Sequence, residues 1–331
     1  MVIKKPVYIL LLLFSGVFFL FPFSSYAGDK EKSKYQIAEE AEVYYSKGEE
    51  SFRVNDYNQA LAYFQKVTEI NPLEGDAYYM RGLIYQKKGD FENALAEYNR
   101  AEKYIKNKAK LKSVYSNRGV LNFDKKNYDR ALIDYNKALG LDRNLFQGYL
   151  NRGLLYEKRN EYEKALADYN KAITLNPFNG IVYYNRGLVY YRMGDYGKAI
   201  ADFDERIKKD GYDANAFVNR GRAYYAGGDS GRALKDYNRA IELNPDLPSS
   251  YNNRGVIYFS QGKLNEALAD YQKALALDPA MPDAYNNRAL VYAVMGKYDK
   301  AREDASKAGQ LGYKVNPDFI AKLKTALGGE K

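Results

Sequence analysis

Apolar and small residues recur in two alternating sets along residues 41–315. In a window of 34 residues counted from Ala41, one set falls at positions four, eight and eleven, and the other at twenty, twenty-four and twenty-seven. Spacings of i, i+4 and i+7 put each set on one face of a helix. Between the sets, Gly89-Asp90, Gly194-Asp195, Gly262-Lys263 and Gly296-Lys297 mark a turn. The pattern predicts an all-α chain in which each window is a helix, a turn and a second helix.

The window repeats. Position eight is Gly48, Gly82, Gly119, Gly153, Gly187, Gly221, Gly255 and then Ala289, spaced by 34 residues with one interval of 37. Slot four is aromatic from Tyr44 to Tyr285, and slot eleven is mostly tyrosine, as in Tyr85 and Tyr156. Slot twenty is always alanine, from Ala60 to Ala301. Slot twenty-four is Phe64, Tyr98, Tyr135, Tyr169, Phe203, Tyr237, Tyr271 and finally Ala305, while Pro72, Pro177, Pro245 and Pro279 close four windows.

A 34-residue period with these slots resembles the tetratricopeptide repeat. The resemblance implies a right-handed α-solenoid superhelix of about eight helix–turn–helix repeats plus a C-terminal capping helix. The divisions are 1–27 a leader, 28–40 a linker or helix start, and repeats at 41–74, 75–111 (with an extension), 112–145, 146–179, 180–213, 214–247, 248–281 and 282–315. Residues 316–331 form the cap and tail, with Phe319, Leu323 and Leu327 on one helix face. Two departures carry expectations. Three extra residues near Lys106–Lys110 should lengthen the second helix of repeat two or its following loop. Arg206, where the neighbouring repeats have alanine, should loosen the end of the fifth repeat's second helix.

Residues 1–27 read as an export signal. Lys4 and Lys5 precede an apolar run from Ile9 to Phe21, Pro22 breaks it, and Ser25-Tyr26-Ala27 gives a small-x-small cleavage site. The chain is then periplasmic or secreted. In the competing reading, the run Val7–Phe23 is just long enough to stay as an inner-membrane anchor. Cysteine and histidine are absent. That excludes disulfides, thiolate zinc sites, cysteine nucleophiles and imidazole bases. No catalytic residue, metal or cofactor is expected. The net charge of +9 falls to +7 once Lys4 and Lys5 leave, since residues 1–27 hold no acid. No like-charged block points to nucleic acid, and the five lysines of 103–112 read as a solvated helix end.

The feature with functional content is an asparagine at slot six: Asn117, Asn151, Asn185, Asn219, Asn253 and Asn287. At about 100° per residue it falls away from the slot four, eight and eleven stripe, on a face shared with slots two, nine and thirteen. The family's concave surface is lined by first helices, which makes these asparagines a ladder along a groove. An amide offers both a donor and an acceptor, matching a peptide backbone whatever its side chains. Slot nine is mostly aliphatic (Leu83, Val120, Leu154, Leu188, Val256, Leu290) and would floor the groove. The arrangement is similar to the ladder in the repeat superhelix of the protein O-GlcNAc transferases, which holds extended peptides. The plainer alternative is that these amides bond only to neighbouring turns or water. Tyr79 and Tyr184 at slot five, and Tyr191, Tyr225 and Phe259 at slot twelve, are shoulder pockets or packing. Arg222, the one charge among these slot-nine residues, could meet an acidic ligand group.

Slot seven is arginine from Arg81 to Arg288, and slot twenty-three is acidic in the same seven repeats, from Glu97 to Asp304. Charges flanking a core stripe must be paired, so these read as structural ion pairs within or between repeats. Gly228-Asp229-Ser230-Gly231 mimics a protease nucleophile segment, but it falls on a helix-to-helix turn. The carboxylate clamp of some tetratricopeptide domains fails, since slot nine is aliphatic where that clamp needs asparagine. The expected role is a non-catalytic scaffold binding a protein or peptide partner.

Overall fold

The computed structural model describes residues 34–328, and every regular element among them is a helix. The expected leader and cleavage site of residues 1–27 lie outside the described residues. The described residues divide into two compact units, the boundary falling between Asn107 and Lys108.

In the first unit, α1 (Lys34–Arg53) pairs with α2 (Tyr57–Ile70), and α3 (Gly75–Lys87) with α4 (Phe91–Tyr104). The second unit holds six such pairs. They are α5 (Lys108–Asp124) with α6 (Tyr128–Leu141), α7 (Phe146–Lys158) with α8 (Tyr162–Leu175), and α9 (Gly180–Arg192) with α10 (Tyr196–Lys209). The remaining three are α11 (Ala214–Ala226) with α12 (Ser230–Leu243), α13 (Pro248–Ser260) with α14 (Leu264–Leu277), and α15 (Pro282–Val294) with α16 (Tyr298–Gln310). Finally, α17 (Pro317–Ala326) packs on α16. Asn316 caps α17 by accepting from the Asp318 amide, and Leu323 is its buried anchor.

Local chemistry sets the joints. The turn inside a pair needs a left-handed residue, supplied by Gly89, Gly194, Gly228, Gly262 and Gly296, and elsewhere by Asn55, Lys126 and Asn160. Asp56, Asp90, Asp195 and Asp229 then cap the second helix by accepting an amide three residues on. Between repeats, Asn71, Asp142, Asn176, Asp210, Asn244 and Asp278 each accept the amide two residues ahead. This Asx turn recurs more regularly than the prolines beside it.

The core departs from the sequence expectation on the first helices. Their deepest positions are slots three and ten, as in Ala77 and Ile84, Val114 and Leu121, or Val182 and Val189, all fully buried. The slot-four and slot-eleven tyrosines are mostly half-buried beside this stripe, because their rings cover the slot-seven arginines instead of filling the interior. The Arg152 guanidinium lies 5.7 Å from the Tyr149 ring and 5.9 Å from the Tyr156 ring. On the second helices, slots twenty, twenty-four and twenty-seven are buried as expected, for example Ala165, Tyr169 and Ala172.

Both expected departures resolve differently from the sequence reading. The extra residues do not lengthen α4. Instead α5 runs 17 residues where the first helices α3 and α7 run 13. The joint begins with Ile105 at the helix-ending position that the other joints between repeats fill with an Asn or Asp forming the Asx turn, and helix resumes three residues on at Lys108. Arg206 does not loosen α10, which has the same 14 residues as α8 and α12. Its guanidinium binds Asp213 at 2.7 Å and Asp210 at 2.9 Å, tying the following joint to the helix.

Candidate functional site

Within the second unit, each first helix from α5 to α13 also touches the first helix of the next repeat, whereas no two second helices make comparable contact. Helices approach on the inner side of a curved stack, so the first helices line that side. Slots two, six, nine and thirteen face outward from the core here. Slot thirteen is exposed, while slots six and nine are half-buried, apart from the exposed Arg222.

The six slot-six asparagines therefore share one face, but their bonding differs. Asn151 accepts from Gln147 Nε2 at 2.8 Å. Asn219 Nδ2 donates to the Tyr184 hydroxyl at 2.8 Å and to the Asn215 carbonyl at 3.0 Å, and Asn219 Oδ1 accepts from Arg222 at 3.1 Å. Asn253 Oδ1 accepts from Asn252 at 3.4 Å, and Asn287 donates to Asn252 Oδ1 at 3.1 Å. Asn117 also has an interaction of its own. Asn185 makes no side-chain hydrogen bond among the described residues. Two rungs, Asn219–Tyr184 and Asn287–Asn252, thus tie consecutive first helices together. This is partly the plainer bonding that the sequence left open.

The slot-nine residues Val120, Leu154, Leu188, Val256 and Leu290 lie half-buried along the same face. Among the aromatic candidates, Tyr184 packs edge-on against Phe203, with ring centroids 5.9 Å apart. Tyr191 sits 5.6 Å from the Tyr196 ring and carries the Arg222 guanidinium 4.7 Å above its own. Tyr225 is 38% exposed. Phe259 lines an apolar pocket of about 410 Å³ with Leu290, Val294, Tyr298 and, from the cap, Phe319 and Leu323. Tyr79 belongs to the first unit and leans on Tyr98 at 6.1 Å.

Sequence reading missed the buried Asn252 and Asn286 at slot five. They are visible only as the doublets Asn252-Asn253 and Asn286-Asn287. It also missed a second partner for the arginines. Arg152 grips Asp168 through Nε at 2.7 Å and Nη2 at 2.8 Å, and its Nη1 reaches Asn136 of the preceding repeat at 2.6 Å. Arg186, Arg220 and Arg254 repeat this fork on Asp202, Asp236 and Asp270, with Asn170, Asp204 and Asn238 as the cross-repeat acceptors. These four arginines are architecture: each closes its own pair and fastens it to the one before. Of the lysines in 103–112, Lys112 pairs with Asp142 at 2.7 Å.

Family models described as TPR repeat or tetratricopeptide repeat match residues 45–109, 113–145, 158–194, 180–210, 221–261 and 255–296. The chain belongs to the tetratricopeptide-repeat family. A tetratricopeptide repeat protein from Parabacteroides merdae superposes with a TM-score of 0.62 at 25% identity, over 77% of this chain and 99% of that one. The C-terminal part of a TPR repeat-containing protein from Cytophaga hutchinsonii gives 0.62 at 20% identity, over 73% and 98%. An uncharacterized protein of Methanocaldococcus jannaschii is 41% identical over 54 residues. That match spans 16% of this chain and 63% of the relative's length. Proteins of this class are in general non-catalytic scaffolds for protein–protein interaction.

Proposed function

We propose that the chain is a non-catalytic scaffold of the cell envelope that holds an extended segment of a partner protein along the inner face of its second unit. The observation that carries this reading is the row of amides over an aliphatic floor, in which Asn185 has no internal partner. Asparagine is a mediocre helix former, so its return at one open slot of six helices needs a reason beyond helix stability. The backbone of an extended segment supplies donors and acceptors at regular intervals, which side-chain amides can meet without reading sequence.

Replacing Asn151, Asn185 and Asn219 together by alanine should reduce capture of crosslinked partners from an envelope fraction, with helical content unchanged by circular dichroism. Unchanged capture would sink the reading. Envelope placement rests on the leader alone. A mature N-terminus at Gly28 supports export with cleavage. An intact Met1 in a membrane pellet would support the anchored alternative, suggested by the length of the run Val7–Phe23.

A further inference from the structure

The sixth repeat differs from the others at one point of the inner face, and an earlier repeat shows what is different. In repeat four, the buried Tyr169 hydroxyl donates to Glu157 Oε2 at 2.9 Å, and Glu157 Oε1 accepts from Arg192 at 2.6 Å. A slot-twenty-four tyrosine and an arginine thus hold a slot-twelve carboxylate between them. In repeat two the same hydroxyl donates to Gln86 Oε1 at 2.6 Å. In repeat six the tyrosine is Tyr237, only 2% exposed, and slot twelve is Tyr225. The Tyr237 hydroxyl has no hydrogen-bond partner among the described residues.

A cation stands beside it. Arg222 lies over the Tyr191 ring and donates to Asn219, which is itself held by Tyr184. Stacking and this hydrogen bond through Nη1 hold the guanidinium, while Arg222 as a whole stays exposed. No carboxylate among the described residues lies within ion-pairing distance of Arg222, unlike the slot-seven arginines. The guanidinium opposes the rise that burial imposes on the Tyr237 hydroxyl, and Tyr191, Asp236 (itself gripped by Arg220) and Tyr225 add to that rise, so these groups share one locality with the stacked Arg222. Tyr135 and Tyr271 also lack a slot-twelve acceptor, but there slot twelve is Phe123 or Phe259 and slot nine is valine.

We propose that repeat six binds a carboxylate of the captured segment, with Arg222 as the charge partner and the Tyr237 and Tyr225 hydroxyls as further donors. The proposal rests on the groove reading above and names what the groove selects. The ligand supplies the group that Glu157 supplies in repeat four. A carboxylate fits better than a phosphate because one guanidinium and neutral hydroxyls balance a single negative charge. Its source is either an Asp or Glu side chain or the C-terminus of the segment.

The test uses the full mature chain and two probes. The first is a set of short blocked Gly/Ser/Ala peptides with a central Glu or a central Gln, plus a Gln peptide with a free C-terminal carboxylate, measured by fluorescence anisotropy. The second is N-acetylglutamate α-amide against its glutamine counterpart, followed through the Arg222 side-chain 15N resonance. A preference for the Glu peptide of about tenfold, lost in Arg222→Gln and partly lost in Tyr237→Phe, is expected from charge-assisted hydrogen bonding. A matching preference for the free C-terminus would assign the source to the chain end. Equal affinity for the Glu and Gln peptides, or a preference that survives Arg222→Gln, overturns the carboxylate site and leaves the groove reading intact. If no peptide binds while N-acetylglutamate α-amide still shifts Arg222, the groove reading fails and the site stands. Silence from both probes overturns both.

Discussion

Ala289 and Ala305 pack in one cluster in the last repeat, at the two positions that Gly255 and Tyr271 occupy one repeat earlier. A methyl group on Gly255 would stand 2.8 Å from Tyr271 Cε1, closer than packed atoms tolerate. Glycine at slot eight is therefore the counterpart of the ring at slot twenty-four, and where the ring shrinks the glycine is released. Gly255→Ala should cost about 1–3 kcal/mol, the usual cost of overpacking. In a Tyr271→Ala background the same change should become neutral or stabilising by up to about 1 kcal/mol, as for any helix-interior glycine. Urea unfolding of the four proteins of this cycle measures the sign change, and equal costs in both backgrounds would refute the pairing.

The arginine fork separates a bond within a repeat from one between repeats. Asp202 is nearly buried under Arg186, with side-chain exposures of 6% and 19%, so Asp202→Ala leaves an unneutralised guanidinium in poor solvent. A loss of about 3 kcal/mol is expected. Asn170→Ala removes only the neutral cross-repeat acceptor and should cost about 1 kcal/mol. Far-UV circular dichroism during urea titration compares the two. Similar small losses would mean that the pairs contribute little to holding the repeats.

Alkaline pH should unfold this protein through its slot-twenty-four tyrosines. Burial raises the hydroxyls of Tyr98, Tyr135, Tyr169, Tyr237 and Tyr271 well above their ordinary range. The unfolded chain loses these protons near pH 10, while the folded chain keeps them. The folded state then binds more protons, so stability is fully present below about pH 10 and falls as pH rises beyond it. Replacing Tyr135, Tyr237 and Tyr271 together by phenylalanine should flatten the fall in urea midpoint between pH 8 and about pH 11. An unchanged slope would assign the effect to other groups.

Much of this architecture is legible in the sequence because it repeats. The slot-eight glycines, slot-twenty alanines and turn glycines are small or conformationally special residues that few other side chains can replace. The true inner stripe of the first helices was hidden, because slots three and ten accept whatever apolar volume their neighbours leave. Slot three is Ala77, Val114 and even Ser250. The tyrosines at slots four and eleven repeat more conspicuously, yet they lie beside the core, over arginine. The groove was legible as a face but not as a bonding pattern. Whether an amide such as Asn219 is already engaged depends on Tyr184, 35 residues away in the preceding repeat.

That difference gives the sharpest test of the groove. Asn219 makes three internal hydrogen bonds and fastens α11 to α9, so Asn219→Ala should lower stability by about 1 kcal/mol or more along with any loss of binding. Asn185 makes none and sits in the middle of α9, where alanine is the better helix former by about half a kcal/mol. Asn185→Ala should therefore raise the melting temperature slightly and weaken partner capture. A variant that gains stability and loses binding identifies a side chain kept for its ligand. If Asn185→Ala gains stability and captures the partner as well as the native chain does, the amide at this rung contributes nothing to the ligand.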